Sequence, residues 1–165
     1  MRKNLGTNTR RFILSFLVSL TTAAIFYGGG NYINKQTPYY NFFSNFISDL
    51  GRTTSHSGDD NTISLSFFII GMLIQVFGAF YFLYNAADYF KNDKPKVTIL
   101  AKISAAIGSI SLLGVILTPA DVPSLYFLHI LFANSVFNCS FVTLSIYGYL
   151  FYSKGLKNVT YSILI

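Results

Sequence analysis

Four long apolar stretches dominate the hydrophobic pattern of this 165-residue chain. They cover residues 12–32, 63–84, 97–117 and 122–152. Each reaches the ~20 residues that a helix needs to cross a ~30 Å hydrocarbon core. None shows the alternation of barrel strands, and only helices and closed barrels satisfy their backbone polar groups in lipid. The pattern predicts an all-α integral membrane helical bundle with four spans, forming a single domain over residues 1–165.

A shorter amphipathic pattern lies between the first two spans, at residues 38–50. Its apolar side chains recur at helical spacing, on a face formed by Tyr39, Phe43, Phe46 and Leu50. Thr37 and Pro38 suit the start of a helix, and Gly51 suits its end. We therefore predict a short outer helix that lies in the membrane interface, packs against the ends of the spans, or does both.

Composition and charge agree with a membrane protein and indicate its orientation. Only 11% of the residues are charged, against about a quarter in a typical soluble domain. Of the 12 Lys and Arg residues, Lys35 and Arg52 fall on one side of the predicted membrane, and the other ten fall on the side of the N-terminus. Because cytoplasmic segments are enriched in Lys and Arg, we predict a cytoplasmic N-terminus. The basic residues form no nucleic-acid-binding pattern, so membrane lipid and other membrane subunits are the expected partners.

Polar residues on the predicted outer side form a candidate site that comprises Ser48, Asp49, Arg52, Asp121 and His129. An ionised Asp49 in the last turn of a helix meets the negative end of the macrodipole. It therefore either pairs with Arg52 or points into a polar pocket. Asp121 suits the N-cap of the fourth helix, with Pro123 in the first turn. His129 lies about two turns further in, where it either bonds to a neighbouring helix or belongs to the site.

Three amide side chains are expected near the middle of the membrane. Gln75 lies on the second span, and Asn134 and Asn138 lie on the fourth. Polar side chains at this depth typically form hydrogen bonds between helices. Asn134 and Asn138 share one helical face, and His129 lies nearly opposite. We therefore predict that both faces of the fourth helix contact protein.

The sequence lacks the standard catalytic and cofactor signatures. It contains no GxSxG, HExxH, P-loop, CxxC or GxGxxG motif, and it has no glutamate. The single cysteine, Cys139, cannot form an intramolecular disulfide. The His-x-x-x-His pairs typical of metal sites are also missing. The sequence therefore predicts neither a metal nor a cofactor, and it favours a protein without enzymatic activity.

Short motifs give the chain a resemblance to a known group of proteins. They are NFISDLG after the first span, NTISLSFF at the start of the second, and TPAD followed by His129. Over about residues 12–150, the chain resembles prokaryotic multi-span membrane proteins of unknown function near the DRAM/Frag/Sfk-like family. The resemblance implies about six spans, and eukaryotic relatives are linked to lipid organisation, lipid-anchor remodelling and autophagy. By motif match it implies Ser48, Asp49, Gly51, Asn61, Asp121 and His129, but no catalytic residue.

The end of the chain departs from a six-span pattern. Residues 159–165 form an apolar stub that is too short to cross a bilayer. The chain is therefore either a four-span protein with a stub or a fold truncated from about six spans.

Three functions are compatible with the sequence. The favoured one is a membrane protein without catalytic activity, either lipid-interacting or an accessory subunit of a membrane complex. The second is a membrane-embedded lipid hydrolase that uses Asp49, Asp121 and His129 near the outer interface. The third is a transporter or channel component, although no carboxylate lies within the predicted spans to form a polar path.

Overall fold

The fold consists of four α-helices, as seen in a computed structural model that describes residues 2–156. The helices are α1 (Arg2–Ile25), α2 (Thr62–Ala87), α3 (Pro95–Leu117) and α4 (Tyr126–Ser153). Two short 3-10 helices, Ile47–Gly51 and Asp88–Phe90, flank α2. The described part of the chain contains no strand, which confirms the all-α prediction. The predicted stub at 159–165 lies outside it.

Three helical segments are long and apolar enough to cross a membrane: Thr62–Phe90, Pro95–Leu117 and Tyr126–Ser153. They agree with three of the four predicted spans. The first helix is not among them, because α1 ends at Ile25 rather than near residue 32 as predicted. The fourth span therefore stays a prediction.

The four helices pack in the order of the chain. α1 contacts α2, α2 contacts α3, and α3 contacts α4. Among the described residues, α1 and α4 share no comparable contact, so the helices form an open row. The prediction that both faces of α4 contact protein is wrong, since Phe137 and Phe141 on α4 are each 74% exposed.

Residues 26–61 connect α1 to α2 and form a cap of turns, which we call the cap. The helix predicted at 38–50 is wrong, because only Ile47–Gly51 is helical, as a 3-10 turn. Two asparagine side chains explain the difference. The Phe43 N–H donates to Asn41 Oδ1 at 2.9 Å, and the Asn41 N–H donates to Asn45 Oδ1 at 3.0 Å. Such side-chain bonds to the backbone compete with helix formation.

The glycines at 28–30 let two parts of the cap approach each other closely. Gly30 has a φ of 76°, and a Cβ there would lie 2.5 Å from the Ser57 nitrogen. The Ser57 N–H donates to the Gly29 carbonyl at 3.1 Å, and Ser57 Oγ donates to the Gly28 carbonyl at 2.8 Å. These residues therefore hold the His56 region against the end of α1, instead of finishing a span as predicted.

Candidate functional site

Asp49 is the most deeply buried acidic group in the described part of the chain, at 3% exposure. Its Oδ1 lies 3.0 Å from Nε2 of His56. Its Oδ2 accepts hydrogen bonds from the Phe46 N–H at 2.8 Å and from Asn45 Nδ2 at 3.3 Å. The carboxylate therefore has a partner on each oxygen, as a buried charge requires.

The ion pair predicted between Asp49 and Arg52 is not formed. Arg52 Nε donates instead to the Thr54 carbonyl at 3.1 Å. The prediction assumed a helix, in which residues three apart are neighbours. In the observed turns, the partner of Asp49 is His56, seven residues further on. The alternative prediction, that Asp49 points inward, agrees with its burial.

Aromatic side chains surround the Asp49–His56 pair. The His56 backbone N–H donates to the Tyr27 hydroxyl at 3.4 Å, and the ring centroids of Tyr32 and His56 are 5.3 Å apart. Burial, followed by the charge of Asp49, raises the pKa of Tyr40 to about 12. Tyr40 is therefore a neutral hydrogen-bonding group at physiological pH.

A carboxylate that orients an imidazole is the arrangement used in general-base catalysis. When Nε2 of His56 carries the proton that Asp49 accepts, Nδ1 is left as an acceptor. No serine, threonine or cysteine of the described chain is hydrogen-bonded to that nitrogen. The pair therefore has the geometry of a base without a visible protein nucleophile. Sequence reasoning did not select His56, although it is one of only two histidines and lies in the same polar stretch as Asp49.

Asn61, a position implied by the resemblance, joins the ends of the cap. It is 1% exposed. Its Nδ2 donates to the carbonyls of Leu50 at 3.2 Å and Arg52 at 2.9 Å, and its Oδ1 accepts from the Gly28 N–H at 3.2 Å. All three bonds hold the backbone of the cap, so Asn61 has a structural role here.

Asp121 does not cap α4, contrary to the prediction. That helix begins only at Tyr126, after Pro123, and no side chain caps it. The Asp121 carboxylate instead accepts from the Thr53 N–H at 3.0 Å, Thr53 Oγ1 at 2.5 Å and the Thr54 N–H at 2.8 Å. Desolvation raises the pKa of Asp121, but the hydrogen bonds from Thr53 and Thr54 outweigh it and lower that pKa overall. Asp121 thus ties the α3–α4 connection to the cap.

His129 is buried and bonded to the neighbouring helix, which was one of its two predicted roles. It is 5% exposed, and its Nδ1 donates to the Thr118 carbonyl at 2.6 Å. Thr118 follows the last residue of α3, so this bond satisfies a carbonyl at the helix end. The two predicted roles are compatible, because His129 also lines the cavity described next.

A cleft of about 900 Å³ lies between the cap and helices α2, α3 and α4, and Phe16 of α1 also lines it. This volume is within the ~300–1,000 Å³ range of ligand pockets. Most of its wall is apolar, with Phe68, Met72 and Val136 among the lining residues. Four of the five predicted site residues also line it: Ser48, Asp49, Arg52 and His129.

A second, more polar cavity of about 590 Å³ adjoins the cleft, and we call it the rim cavity. Its polar lining includes Lys35, Arg52, His56 and Asp121. Four residues line both cavities: Tyr32, Arg52, Ala120 and Tyr126. Asp121, the fifth predicted site residue, therefore lines the rim cavity and not the cleft. Arg52 is the predicted site residue that lines both cavities.

The predicted hydrogen bonds between helices through Gln75, Asn134 and Asn138 are not formed within the described part of the chain. None of these side chains has a hydrogen-bond partner within residues 2–156, and both asparagines are exposed. Gln75 and Asn134 line the cleft instead, whereas Asn138 does not. Ser104 on α3 instead forms hydrogen bonds with α4, since its Oγ lies 2.6 Å from Thr143 Oγ1 and 3.3 Å from the Cys139 carbonyl oxygen.

Neither a metal cluster nor a known relative explains this arrangement. Across residues 2–156, no three His, Cys, Asp or Glu side chains lie close enough together to hold a metal ion. Comparisons of the chain with family models, curated proteins and solved structures found no match. The family resemblance and its implied lipid-related role therefore stay predictions.

Proposed function

We propose that this protein is an integral membrane protein that binds a membrane lipid in the cleft, without catalysing a reaction on it. The observation that carries the proposal is the junction of two unlike cavities, one apolar and one polar, along the four residues that line both. An amphiphile has the same division, with an acyl chain suited to the apolar wall and a headgroup suited to the rim cavity.

The open row of helices supports entry of the lipid from the side. α1 and α4 lack extensive contact across the described chain, and Phe137 lines the cleft while 74% exposed. A lipid tail can therefore reach the cleft from the surrounding hydrocarbon without crossing the polar rim. Burial of an acyl chain against protein exchanges one apolar surface for another, so polar contacts of the headgroup must supply the selectivity.

In this proposal α1 also crosses the membrane, in addition to the three candidate spans, and the cap lies on the outer side. Arg10 and Arg11 precede the apolar part of α1, as expected at a cytoplasmic end. The cap exposes the aromatic side chains of Tyr39, Phe42, Phe43 and Phe46. Exposed aromatic residues of this kind are typical of a segment that lies at the membrane interface.

Orientation is tested by cysteine labelling from each side of a sealed membrane. Lys35→Cys in the cap and Asn92→Cys in the α2–α3 connection introduce exposed positions that make no recorded hydrogen bond. We expect an impermeant maleimide to label the two positions from opposite sides. The parent chain, in which Cys139 lies on α4, measures the background. Labelling of both positions from the same side contradicts the proposed topology.

Lipid binding is tested by filling the cleft. Ala133 lines the cleft on α4, so Ala133→Phe should displace bound lipid. Val18→Phe is the matched control, because Val18 is 66% exposed on α1 and does not line the cleft. We expect lipid extracted from purified protein to fall below one molecule per chain only in Ala133→Phe. Equal lipid content in both variants and the parent contradicts binding in the cleft.

A second candidate, an accessory subunit of a membrane complex, is favoured by the exposed amide of Asn138. It is exposed on a candidate span, lies outside the cleft and has no partner in the described structure. An unpaired amide in hydrocarbon is costly, so a partner helix could satisfy it. For this role, Asn138→Leu should dissociate a complex seen on native gels, whereas Val142→Leu on the same helix should not. Identical migration of both variants contradicts it.

A further inference from the structure

The rim cavity contains two cations that form no ion pair within the described chain. Lys35 and Arg52 both line it. The ion pairs recorded for the described chain involve His56, Lys102 and Lys154, and neither Lys35 nor Arg52 takes part in one. Since these two are the only Lys or Arg residues between α1 and α2, the cap directs its whole positive charge to one cavity.

The carboxylates of the cap and of the rim cavity already accept hydrogen bonds from other groups of the protein. Both oxygens of Asp49 bond within the cap, to His56, Asn45 and the Phe46 N–H. Asp121, which lines the rim cavity, accepts three hydrogen bonds from Thr53 and Thr54. The two remaining carboxylates of the cap accept hydrogen bonds from Ser57 and Thr62, and they line neither the cleft nor the rim cavity.

Arg52 is also positioned at the junction of the two cavities. Its Nε donates to the Thr54 carbonyl at 3.1 Å, and the two terminal nitrogens of the guanidinium have no hydrogen-bond partner among residues 2–156. A guanidinium presents these donors in a planar fork that matches the oxygens of a phosphate or carboxylate. Because Arg52 lines the cleft as well, an anion held there lies next to the apolar space proposed for the acyl chain.

Building on the proposed lipid-binding function, we propose that the rim cavity selects an amphiphile with an anionic oxyanion headgroup, held by Arg52 with the help of Lys35. The headgroup is a phosphate or a carboxylate, and the tail occupies the cleft. His56 lines the same cavity, and Asp49 fixes its Nε2. In the neutral ring the other nitrogen, Nδ1, is then an acceptor, so the hydrogen-bond donors to the headgroup come from Arg52 and Lys35.

The test measures binding of defined probes to the full chain in detergent by native mass spectrometry. The probes are phosphatidylglycerol, phosphatidylcholine, palmitate and inorganic phosphate. We expect phosphatidylglycerol or palmitate to bind more tightly than phosphatidylcholine, and inorganic phosphate, which lacks a tail, to bind weakly. Arg52→Gln should weaken binding of the anionic lipid about tenfold, the loss expected for one charge-assisted contact. Lys35→Gln, at an exposed position, should weaken it less.

Lys91→Gln is the matched control, because it removes an exposed cation that lines neither cavity. Tighter binding of phosphatidylglycerol identifies a phosphate headgroup, and tighter binding of palmitate identifies a carboxylate. Equal binding of anionic and zwitterionic lipids, unchanged by Arg52→Gln and Lys35→Gln, overturns the headgroup inference but leaves lipid binding in the cleft intact. Absence of binding by every lipid overturns both proposals.

Discussion

The cap and α4 use polar side chains in opposite ways. In the cap, Asn45, Asp49 and Asn61 are buried, and each is hydrogen-bonded at least twice. On α4, Asn134 and Asn138 are exposed, and their side chains make no hydrogen bond within the described structure. Asparagine side chains thus stabilise the fold in the cap, whereas on α4 they are free to make other contacts.

This contrast separates stability from binding. A buried polar group that loses its partner costs about 1–3 kcal/mol, whereas an exposed one can turn to solvent, lipid or a ligand. Substitutions in the cap should therefore change the free energy of unfolding. Substitutions of exposed side chains on the cleft wall of α4, such as Asn134, should change what the protein binds, with little effect on its stability.

The largest effect is expected at Asp49. Asp49→Ala leaves His56, the Phe46 N–H and the Asn45 amide without their shared acceptor, so we expect a loss of about 3 kcal/mol in the free energy of unfolding. Chemical unfolding in detergent measures this loss. Asp59→Ala is the control, since Asp59 is exposed in the same cap. Equal stability of the two variants would show that the cap does not depend on the buried pair.

A direct comparison of the two regions uses the same substitution in each. Asn61→Ala removes three bonds to the cap backbone and should cost about 2–3 kcal/mol of unfolding free energy. Asn134→Ala should change stability by no more than about 0.5 kcal/mol, as at an ordinary surface position. Unfolding midpoints of both variants in one detergent decide the matter, and a larger loss for Asn134→Ala contradicts the contrast drawn here.

The helices could be predicted from the sequence, but the cap could not. Apolar stretches of more than about 20 residues predict long helices whatever their neighbours, and α2, α3 and α4 follow them closely. The cap depends on side chains that bond to the backbone, such as Asn41 and Asn45. An amphipathic pattern at 38–50 reports helical spacing but not these competing bonds.

The candidate site was predictable as a region and not as a set of contacts. Ser48, Asp49, Arg52 and His129 were expected together, and the structure brings them to one cleft. The partner of Asp49 depends on the path of the chain between residues 49 and 56, which no helical spacing describes. The exposed face of α4 was missed because a mid-span asparagine normally predicts an interhelical hydrogen bond.

A smaller effect is expected at His129, which lies on α4 like Asn134 but is buried and hydrogen-bonded. His129→Ala removes the bond to the Thr118 carbonyl at the end of α3, so we expect a loss of about 1–2 kcal/mol in the free energy of unfolding. His129→Gln keeps a donor and should recover part of it. If the role is structural, lipid binding per folded molecule should be the same in both variants. Loss of lipid binding in a stable His129→Gln variant would instead assign the side chain to the binding site.

The smallest effect is expected at Asp121, and it should depend on pH. The hydrogen bonds from Thr53 and Thr54 lower its pKa below the ordinary 3.8, so the folded state favours the charged form. The stabilisation is therefore present above the pKa of the unfolded chain and is lost as pH falls through the lowered pKa of the folded chain.

Since Asp121 is partly exposed to solvent, which screens its charge, Asp121→Asn should cost less than about 1 kcal/mol at neutral pH. Unfolding midpoints of parent and variant should converge as the pH is lowered from about 7 to about 3. A gap that stays constant over this range would mean that the ionised carboxylate does not join the α3–α4 connection to the cap.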